Sequence, residues 1–317
     1  MKKKINFLIL GATGFIGKNL VEHFFKKKKY NITATFYKSK KISKYKVNWK
    51  KINLCDKDQV KRITKNTDII IQAAAATSGS KEIVNSPQKH VTDNAIMNSY
   101  IMKFAHENKV KHVIFFSCTV MYPSSKKYLN ENSKELNKPL DKRYFGVGHT
   151  KLYVEKICDF FSRIGSTKFT CIRHSNIYGP HDKFDLNKGH FFASNLLKIF
   201  KSNNSEITVW GRGEEKRDLL YVDDLSKFVD KAIMYQKSKF QIFNCTYGKS
   251  FKVKDIIKKM ILHYNKNIKI NHDLSKPSIP VNILVSSKKA KKELSWLPQT
   301  SIDEGIKKTI LWLKKNI

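Results

Sequence analysis

Acidic residues are scarce in this chain. Asp and Glu number 26 against 62 Lys and Arg, so the formal net charge is +36 over 317 residues. Arginine is scarce too, limited to Arg62, Arg143, Arg163, Arg173, Arg212 and Arg217. Surfaces built for nucleic acid concentrate their charge and favour the bidentate guanidinium. Here the cations are mostly lysines spread over the whole length, which reads as a compositional bias. No nucleic-acid partner is expected, although a positive field of this size draws in small anions.

Cysteine is limited to Cys55, Cys118, Cys158, Cys171 and Cys245, and no C-x-x-C pair occurs. An odd number at wide spacing argues against a disulfide framework and a metal site, and points to a reducing compartment. No apolar run reaches the roughly 18 residues that cross a bilayer. Met1–Lys4 followed by Ile5–Leu10 imitates a secretion signal, but the apolar stretch is too short and runs straight into a glycine turn. The expectation is a cytoplasmic protein with no membrane contact. A hydrophobic fraction of 41% and an aromatic fraction of 12% supply a sizeable core and exclude disorder as a description of the whole chain.

What is present is alternation. Short apolar runs at Ile5–Leu10, Asn31–Tyr37, Val47–Leu54, Thr67–Ala75, Lys111–Cys118 and Lys168–His174 read as six strands. Between them Lys18–Lys28, Lys57–Thr64, Thr92–Glu107 and Thr150–Arg163 read as amphipathic helices. This rhythm predicts an α/β fold, a doubly wound parallel sheet of Rossmann type with helices on both faces. After residue 175 the pattern loosens. Ser175–Asp185 reads as loop, Gly189–Lys201 as helix and Ile207–Trp210 as a short strand. Asp224–Tyr235, Lys252–Tyr264, Ser287–Ser295 and Ile302–Lys315 read as further helices. The expected division is a dinucleotide-binding domain over 1–174 plus about 218–247, with a smaller α/β substrate lobe from 175–217 and 248–317.

The first strand ends in Gly11-Ala12-Thr13-Gly14-Phe15-Ile16-Gly17, and a helix follows at once. Gly11 permits the sharp turn, Gly14 lets a pyrophosphate approach the backbone, and Gly17 lets helix and strand pack closely. The helix start offers free N–H groups and a positive dipole end to phosphates. At the end of the second strand, NAD sites usually carry an acid for the ribose hydroxyls. This chain has Thr35-Phe36-Tyr37-Lys38-Ser39-Lys40-Lys41, with cations and no acid. That favours NADP, with Lys38 or Lys40 near the 2′-phosphate and NAD as the alternative.

These pieces, together with Ala73-Ala74-Ala75, Phe115–Pro123, Thr150-Lys151, Asn176–Asp182, Val209-Trp210-Gly211 and Arg217–Asp224, span nearly the whole chain. In them the sequence resembles the extended short-chain dehydrogenases/reductases that act on nucleotide sugars, and within these the GDP-L-fucose synthase group. The resemblance implies hydride transfer at a sugar carbon, usually C4, and so an NAD(P)-dependent oxidoreductase or epimerase of a GDP-hexose or GDP-heptose for surface glycan synthesis. It implies cofactor contacts from Thr13, Phe15, Ile16, Asn53, Leu54, Ala73, Ala74, Ala75, Lys151, His174 and Ile177, besides the three glycines. It implies substrate contacts from Asn176, Lys198, Arg217 and Lys276, with Trp210 lining the base pocket. It also implies a homodimer built on the outer faces of Thr92–Glu107 and Thr150–Arg163.

The chain departs from the family at the catalytic positions. The family pairs a Tyr with a Lys four residues later, so that the ammonium stabilises the phenolate on one helix face. Lys151 matches that Lys, but Val147 stands where the Tyr belongs. The hydroxyl expected at the end of the fifth strand is Cys118, a poor hydrogen-bond donor. In the epimerase pair of the group, His190 matches the base and Val120 replaces the Cys acid. Three readings stand open. Tyr144, His149 or Thr119 substitutes for the missing groups; Lys151 and ordered water handle the proton; or the chain binds a nucleotide sugar without turnover.

Overall fold

The computed structural model describes residues 4–39, 44–76, 86, 88, 91–133, 138–203, 206–275 and 282–317. The chain runs β1 (Ile5–Leu10), α1 (Phe15–Phe25), β2 (Tyr30–Phe36), β3 (Asn48–Lys51), α2 (Lys57–Ile63), β4 (Ile69–Gln72), α3 (Thr92–Glu107), β5 (His112–Cys118), α4 (Phe145–Ile164) and β6 (Lys168–His174). It continues through β7 (Asn176–Tyr178), α5 (Phe191–Lys201), β8 (Glu206–Trp210), β9 (Lys216–Tyr221), α6 (Val222–Tyr235), β10 (Phe240–Cys245), β11 (Ser250–Lys252), α7 (Val253–Tyr264), β12 (Lys269–Asp273), α8 (Lys288–Leu294) and α9 (Ile302–Asn316).

Seven strands form one parallel sheet in the order β10-β6-β5-β4-β1-β2-β3. Both faces are buried, so its strands are apolar on successive residues. In β1, Phe7 and Ile9 join one core with Leu20 and Phe24 of α1 and Phe228 of α6. Leu8 and Leu10 join the opposite core with Ile101 and Phe104 of α3 and Val154 of α4. This is the doubly wound α/β arrangement. Two smaller sheets, β11-β9-β7 and β12-β8, share a third core that includes Tyr178, Phe192, Ile256 and Ile306.

The strand order reverses between β1 and β4. From β1 the chain winds outward through β2 and β3, then returns to β4 and winds the other way. The carboxyl ends of neighbouring strands diverge there, which opens the crevice where such folds take their ligands.

Several elements differ from the sequence reading. The segment Ser175–Asp185 is not all loop, since Asn176–Tyr178 pairs with β9. Strand β10 was not foreseen, and it extends the central sheet beyond β6. Helix α4 begins at Phe145, five residues before Thr150. Gly146 and Gly148 are weak helix formers, which hid this start. They are needed for contact: a Cβ at Gly146 would lie 2.8 Å from Val91 Cγ2, and one at Gly148 2.5 Å from Leu140 Cδ1. Among the described residues no helix is long and apolar enough to cross a membrane.

His112 at the start of β5 is buried, with Nε2 2.7 Å from Thr170 Oγ1. Burial, with help from Lys168, pushes its imidazole down to about 3. The unfolded chain therefore binds a proton below about 6.5 that the folded chain refuses. Stability contributed by neutral His112 is present above about 6.5 and is lost as pH falls toward 3. A slope of up to about 1.4 kcal/mol per pH unit is expected from this one group. Denaturant titrations of wild type and His112→Gln between pH 6.5 and 4 should show a shallower decline in the variant.

Candidate active site

The glycine turn lies at the reversal point. Gly11 has φ of +70°, and a Cβ there would lie 2.5 Å from Ala74 Cα and 2.6 Å from Ala74 N. No side chain fits, so the turn after β1 touches the backbone after β4. A Cβ on Gly17 would lie 2.2 Å from the Gly11 carbonyl oxygen. Gly14 differs: it is exposed, and a Cβ would meet only the Gly11 oxygen at 3.3 Å. It caps α1 without any side-chain hydrogen bond. The fold thus leaves the first N–H groups of α1 without a capping side chain, beside a backbone stripped of Cβ atoms, and this fits a pyrophosphate. Thr13, Phe15 and Ile16 are half-buried around the same turn.

The segment after β4 is held by amides. Gln72 Nε2 donates to Asn98 Oδ1 (3.0 Å) and Ala74 O (3.2 Å), and the Ala74 N–H donates to Gln72 Oε1 (3.2 Å). Asn98 Nδ2 donates to Asn94 O at 2.7 Å, and Asn94 grips both backbone groups of Ala76. Ala73, Ala74 and Ala75 are therefore presented on a rigid ledge. Sequence reading missed this ladder, although Asn94 and Asn98, one turn apart, were its visible trace. Beyond β3, Asn53 is half-buried; its Oδ1 accepts the Cys55 N–H at 3.1 Å and its own N–H donates to Gln59 Oε1 at 3.0 Å. Leu54 packs partly against the α3 core. Lys38 is exposed past β2, its ammonium 5.6 Å from the Tyr37 ring centre. Lys40 and Lys276 lie outside the described residues.

On the other side of the reversal point stand the altered catalytic positions. Lys151 Nζ donates to Phe116 O at 2.6 Å and lies 4.8 Å from the Phe115 ring centre. Burial holds its ammonium below the usual lysine range, opposed by the charges of Cys118 and Glu155. Burial pushes the Cys118 thiol up, with Lys151 pulling it back. Glu155, one turn after Lys151, is spent elsewhere. It accepts from Ser117 Oγ at 2.7 Å and pairs bidentately with Arg173 at 3.0 and 2.7 Å, all deeply buried.

His174 lies across from Cys118 in the β5–β6 register. Its Nδ1 is 2.7 Å from Ser175 O, and a carbonyl only accepts, so Nδ1 carries the proton and Nε2 the lone pair. Burial pushes this imidazole down to about 4, with Lys151 and His190 adding to the effect. His190 caps α5 and is reached by solvent, yet the protein around it holds it below the usual histidine range. Thr119 is half-buried, and its N–H donates to His174 O at 3.2 Å.

Val147 lies in the first turn of α4, on the same face as Lys151. Tyr144 precedes that helix, at the end of the 3₁₀ turn Lys142–Tyr144, so it is not two regular α-turns from Lys151. Burial raises its phenol, while Arg217 and Arg143 pull it down, and Cys118 also acts on it. The structure thus gathers Tyr144, Cys118 and Arg217 around one space. His149 is excluded from it. It is exposed, packed 4.6 Å from the Phe145 ring, and two residues from Lys151 on a helix points it away.

The substrate-lobe residues follow. Asn176 is exposed, its Nδ2 donating to Asp218 O at 3.0 Å. Arg217 is half-buried on the neighbouring strand β9, two residues before Leu219, which pairs with Asn176. Trp210 is 38% exposed because β8 alternates, which places Ile207 and Val209 inside and leaves the indole outside the core. Lys198 donates from Nζ to Thr208 O at 2.6 Å. Ile177 is buried in the core, so only its backbone is free to face a ligand.

A seven-stranded parallel sheet, doubly wound and with a glycine turn at its reversal point, defines an α/β protein of Rossmann type. The chain belongs to the NAD dependent epimerase/dehydratase family, whose model matches residues 7–246. Among curated proteins it is 26% identical over 318 residues to the GDP-L-colitose synthase of Yersinia pseudotuberculosis, covering 96% of each chain. It is 26% identical over 323 residues to the dTDP-4-dehydro-6-deoxyglucose reductase of Escherichia coli, covering 97% of each. The crystal structure of UDP-glucose 4-epimerase from Thermotoga maritima with UDP-glucose has the same fold, with a TM-score of 0.85 at 22% identity, covering 98% of this chain and 99% of that one.

The contrast between glycines gives a test. Gly14→Ala should leave the melting temperature within about 2 °C and weaken nicotinamide-dinucleotide binding by roughly tenfold, since only the ligand needs that space. Gly11→Ala should lose both, because the fold itself forbids the Cβ. Thermal melts and fluorescence titration with NADH and NADPH measure the two effects.

Proposed function

We propose that this protein is an NAD(P)-dependent oxidoreductase or epimerase of a nucleotide sugar, a GDP-hexose or GDP-heptose, acting at C4 in the synthesis of surface glycans in the cytoplasm. The observation that supports this reading is the Gly11–Gly17 turn at the strand-order reversal, where positions 11 and 17 have no room for a side chain; Lys151, Asn176 and Arg217 are the residues assigned to the substrate side. Gly11, Gly14, Gly17, Thr13 and the Ala73–Ala75 ledge are the residues to hold the cofactor phosphates, and Asn53 and Leu54 the adenosine end. A bound nicotinamide ring supplies hydride exchange with the sugar carbon. Absence of a carboxylate from Tyr37 to Ser39 supports NADP over NAD.

Oxidising a sugar hydroxyl releases a proton, and reducing a ketone consumes one. Val147 handles neither. Lys151 is left to hold that proton at Nζ, since its ammonium is buried and Glu155 is committed to Arg173. Tyr144, inside the field of Arg217, is the second carrier. Arg217 and Asn176 anchor the diphosphate, with Lys198 at the edge of the same lobe, and Trp210 offers a flat wall to the base. Val147 and Cys118 also support a second reading, a binder that has lost turnover.

One assay separates the two. Purified protein is incubated with GDP-, dTDP-, UDP- and CDP-sugars and either cofactor, and watched at the nicotinamide absorbance. Turnover that Lys151→Met lowers at least about 100-fold supports the enzyme, since positioned proton transfer contributes roughly 10²–10⁴-fold. Oxidative turnover should rise with pH through an inflection below the usual lysine range. Val147→Tyr should raise kcat by about tenfold or more. Binding without turnover in wild type and Val147→Tyr supports the binder.

We further propose a homodimer through α3 and α4. Ile96 (37%), Tyr153 (48%) and Phe160 (55%) are exposed along these helices, and Tyr153 is tied to Ser99 by a 3.2 Å hydroxyl contact. Sedimentation should give a dimer for wild type and a monomer for Phe160→Lys with Tyr153→Lys.

A further inference from the structure

Asp218 is buried, in a lobe where the residues expected to meet the diphosphate are cations and an amide. It lies on β9, next to Arg217. Its carboxylate accepts from backbone N–H groups. Oδ1 accepts the Tyr247 N–H at 2.9 Å and Oδ2 accepts the Gly248 N–H at 2.7 Å. Its own carbonyl accepts Asn176 Nδ2 at 3.0 Å.

These partners have a common topological position. Asn176 begins β7 directly after the chain leaves β6 of the central sheet. Tyr247 and Gly248 lie where the chain leaves β10 of the same sheet to enter β11. The two crossings are themselves tied, since the Ser175 N–H donates to Cys245 O at 3.1 Å. Asp218 therefore joins both routes by which the cofactor sheet passes into the β11-β9-β7 sheet. Within that loop Gly248 has φ of +81°, and a Cβ there would meet nothing within 4 Å. Tyr128 Oη also donates to Gly248 O at 3.0 Å.

We propose that Asp218 is a positioning residue for nucleotide-sugar binding: by clamping the two chain crossings to β9, it sets Arg217 and Asn176 at a fixed height above the cofactor side of the cleft. An ionised carboxylate suits this task, because two N–H donors converge on it, one on each oxygen, whereas a neutral amide keeps one acceptor oxygen and turns a donor of its own toward the second N–H. The inference rests on the reading of Arg217 and Asn176 as diphosphate ligands given above. The effect is confined to ground-state binding of the diphosphate, so it appears in KM and leaves kcat close to wild type.

The test uses the full-length protein and calorimetric titration with GDP, dTDP and UDP, alongside titration with NADH and NADPH. Asp218→Asn should weaken the best-bound diphosphate by about tenfold or more, while dinucleotide affinity stays within about twofold. With a turnover substrate, KM should rise by the same factor and kcat stay within about threefold. Gly248→Ala, which meets no neighbour and strains only the loop backbone, should give the same pattern at about two- to fivefold. Equal diphosphate affinity in wild type and both variants overturns the inference and leaves the functional reading intact. Parallel loss of diphosphate and dinucleotide binding in both variants also overturns it, since that marks a general packing role. Failure of wild type to bind any of the three diphosphates overturns the functional reading, and this inference falls with it.

Discussion

The turn after β1 and the segment after β4 meet backbone to backbone, and the remainder of the site is arranged around that contact. Only glycine fits at position 11, both for its φ of +70° and for the 2.5 Å that a Cβ would leave to Ala74. Because β1 and β4 are neighbours at the strand-order reversal, this contact also sets the floor of the crevice. The first turn of α1 is delivered there without a side-chain cap, so its N–H groups suit the anion that the proposed function places there.

Two buried polar networks keep the floor rigid. One is the amide ladder Gln72–Asn98–Asn94, which dictates the path of the chain after β4. The other runs from Ser117 through Glu155 and Arg173 to Tyr122 and Asn244, with Arg173 donating to Tyr122 Oη at 2.9 Å and Tyr122 Oη donating to Asn244 Oδ1 at 2.8 Å. A buried ion pair is expensive to desolvate, and removing one partner costs about 3–5 kcal/mol. Glu155 and Arg173 join α4 to β6 one helical turn from Lys151, so that cost is attached to the placement of this lysine. It also denies Lys151 a carboxylate partner and leaves its ammonium against a carbonyl and an aromatic ring.

The altered catalytic positions have a consistent physical character. Val147 and Cys118 replace two hydroxyl groups by apolar or weakly polar ones, which dries the surroundings of Lys151. Burial then moves the Lys151 ammonium and the His174 imidazole toward their neutral forms. Val147 and Cys118 carry no hydroxyl, while a lysine held below its usual range stands near a histidine held neutral.

Much of the central sheet was legible from the residues alone. Strands that alternate between two buried faces leave a strong apolar signal, so β1 and β6 appeared at their full length, and α3 was read to the residue. The glycine turn was legible because its residues are dictated by local backbone sterics. Strands β7, β9, β10, β11 and β12 were not, because short strands in small sheets or at sheet margins owe their conformation to pairing with distant segments. The start of α4 was hidden by Gly146 and Gly148, whose cost in propensity is offset by contacts with Val91 and Leu140 that only the folded chain brings near. By itself, then, the amino-acid order determined the β/α rhythm, the phosphate turn and the loss of the usual phenol, since each depends on neighbours within a few positions. Which side chains surround Lys151 and that Asp218 joins two crossings depended on contacts between segments far apart in the chain, such as Ser175 with Cys245, and such contacts exist only once packing has brought them together.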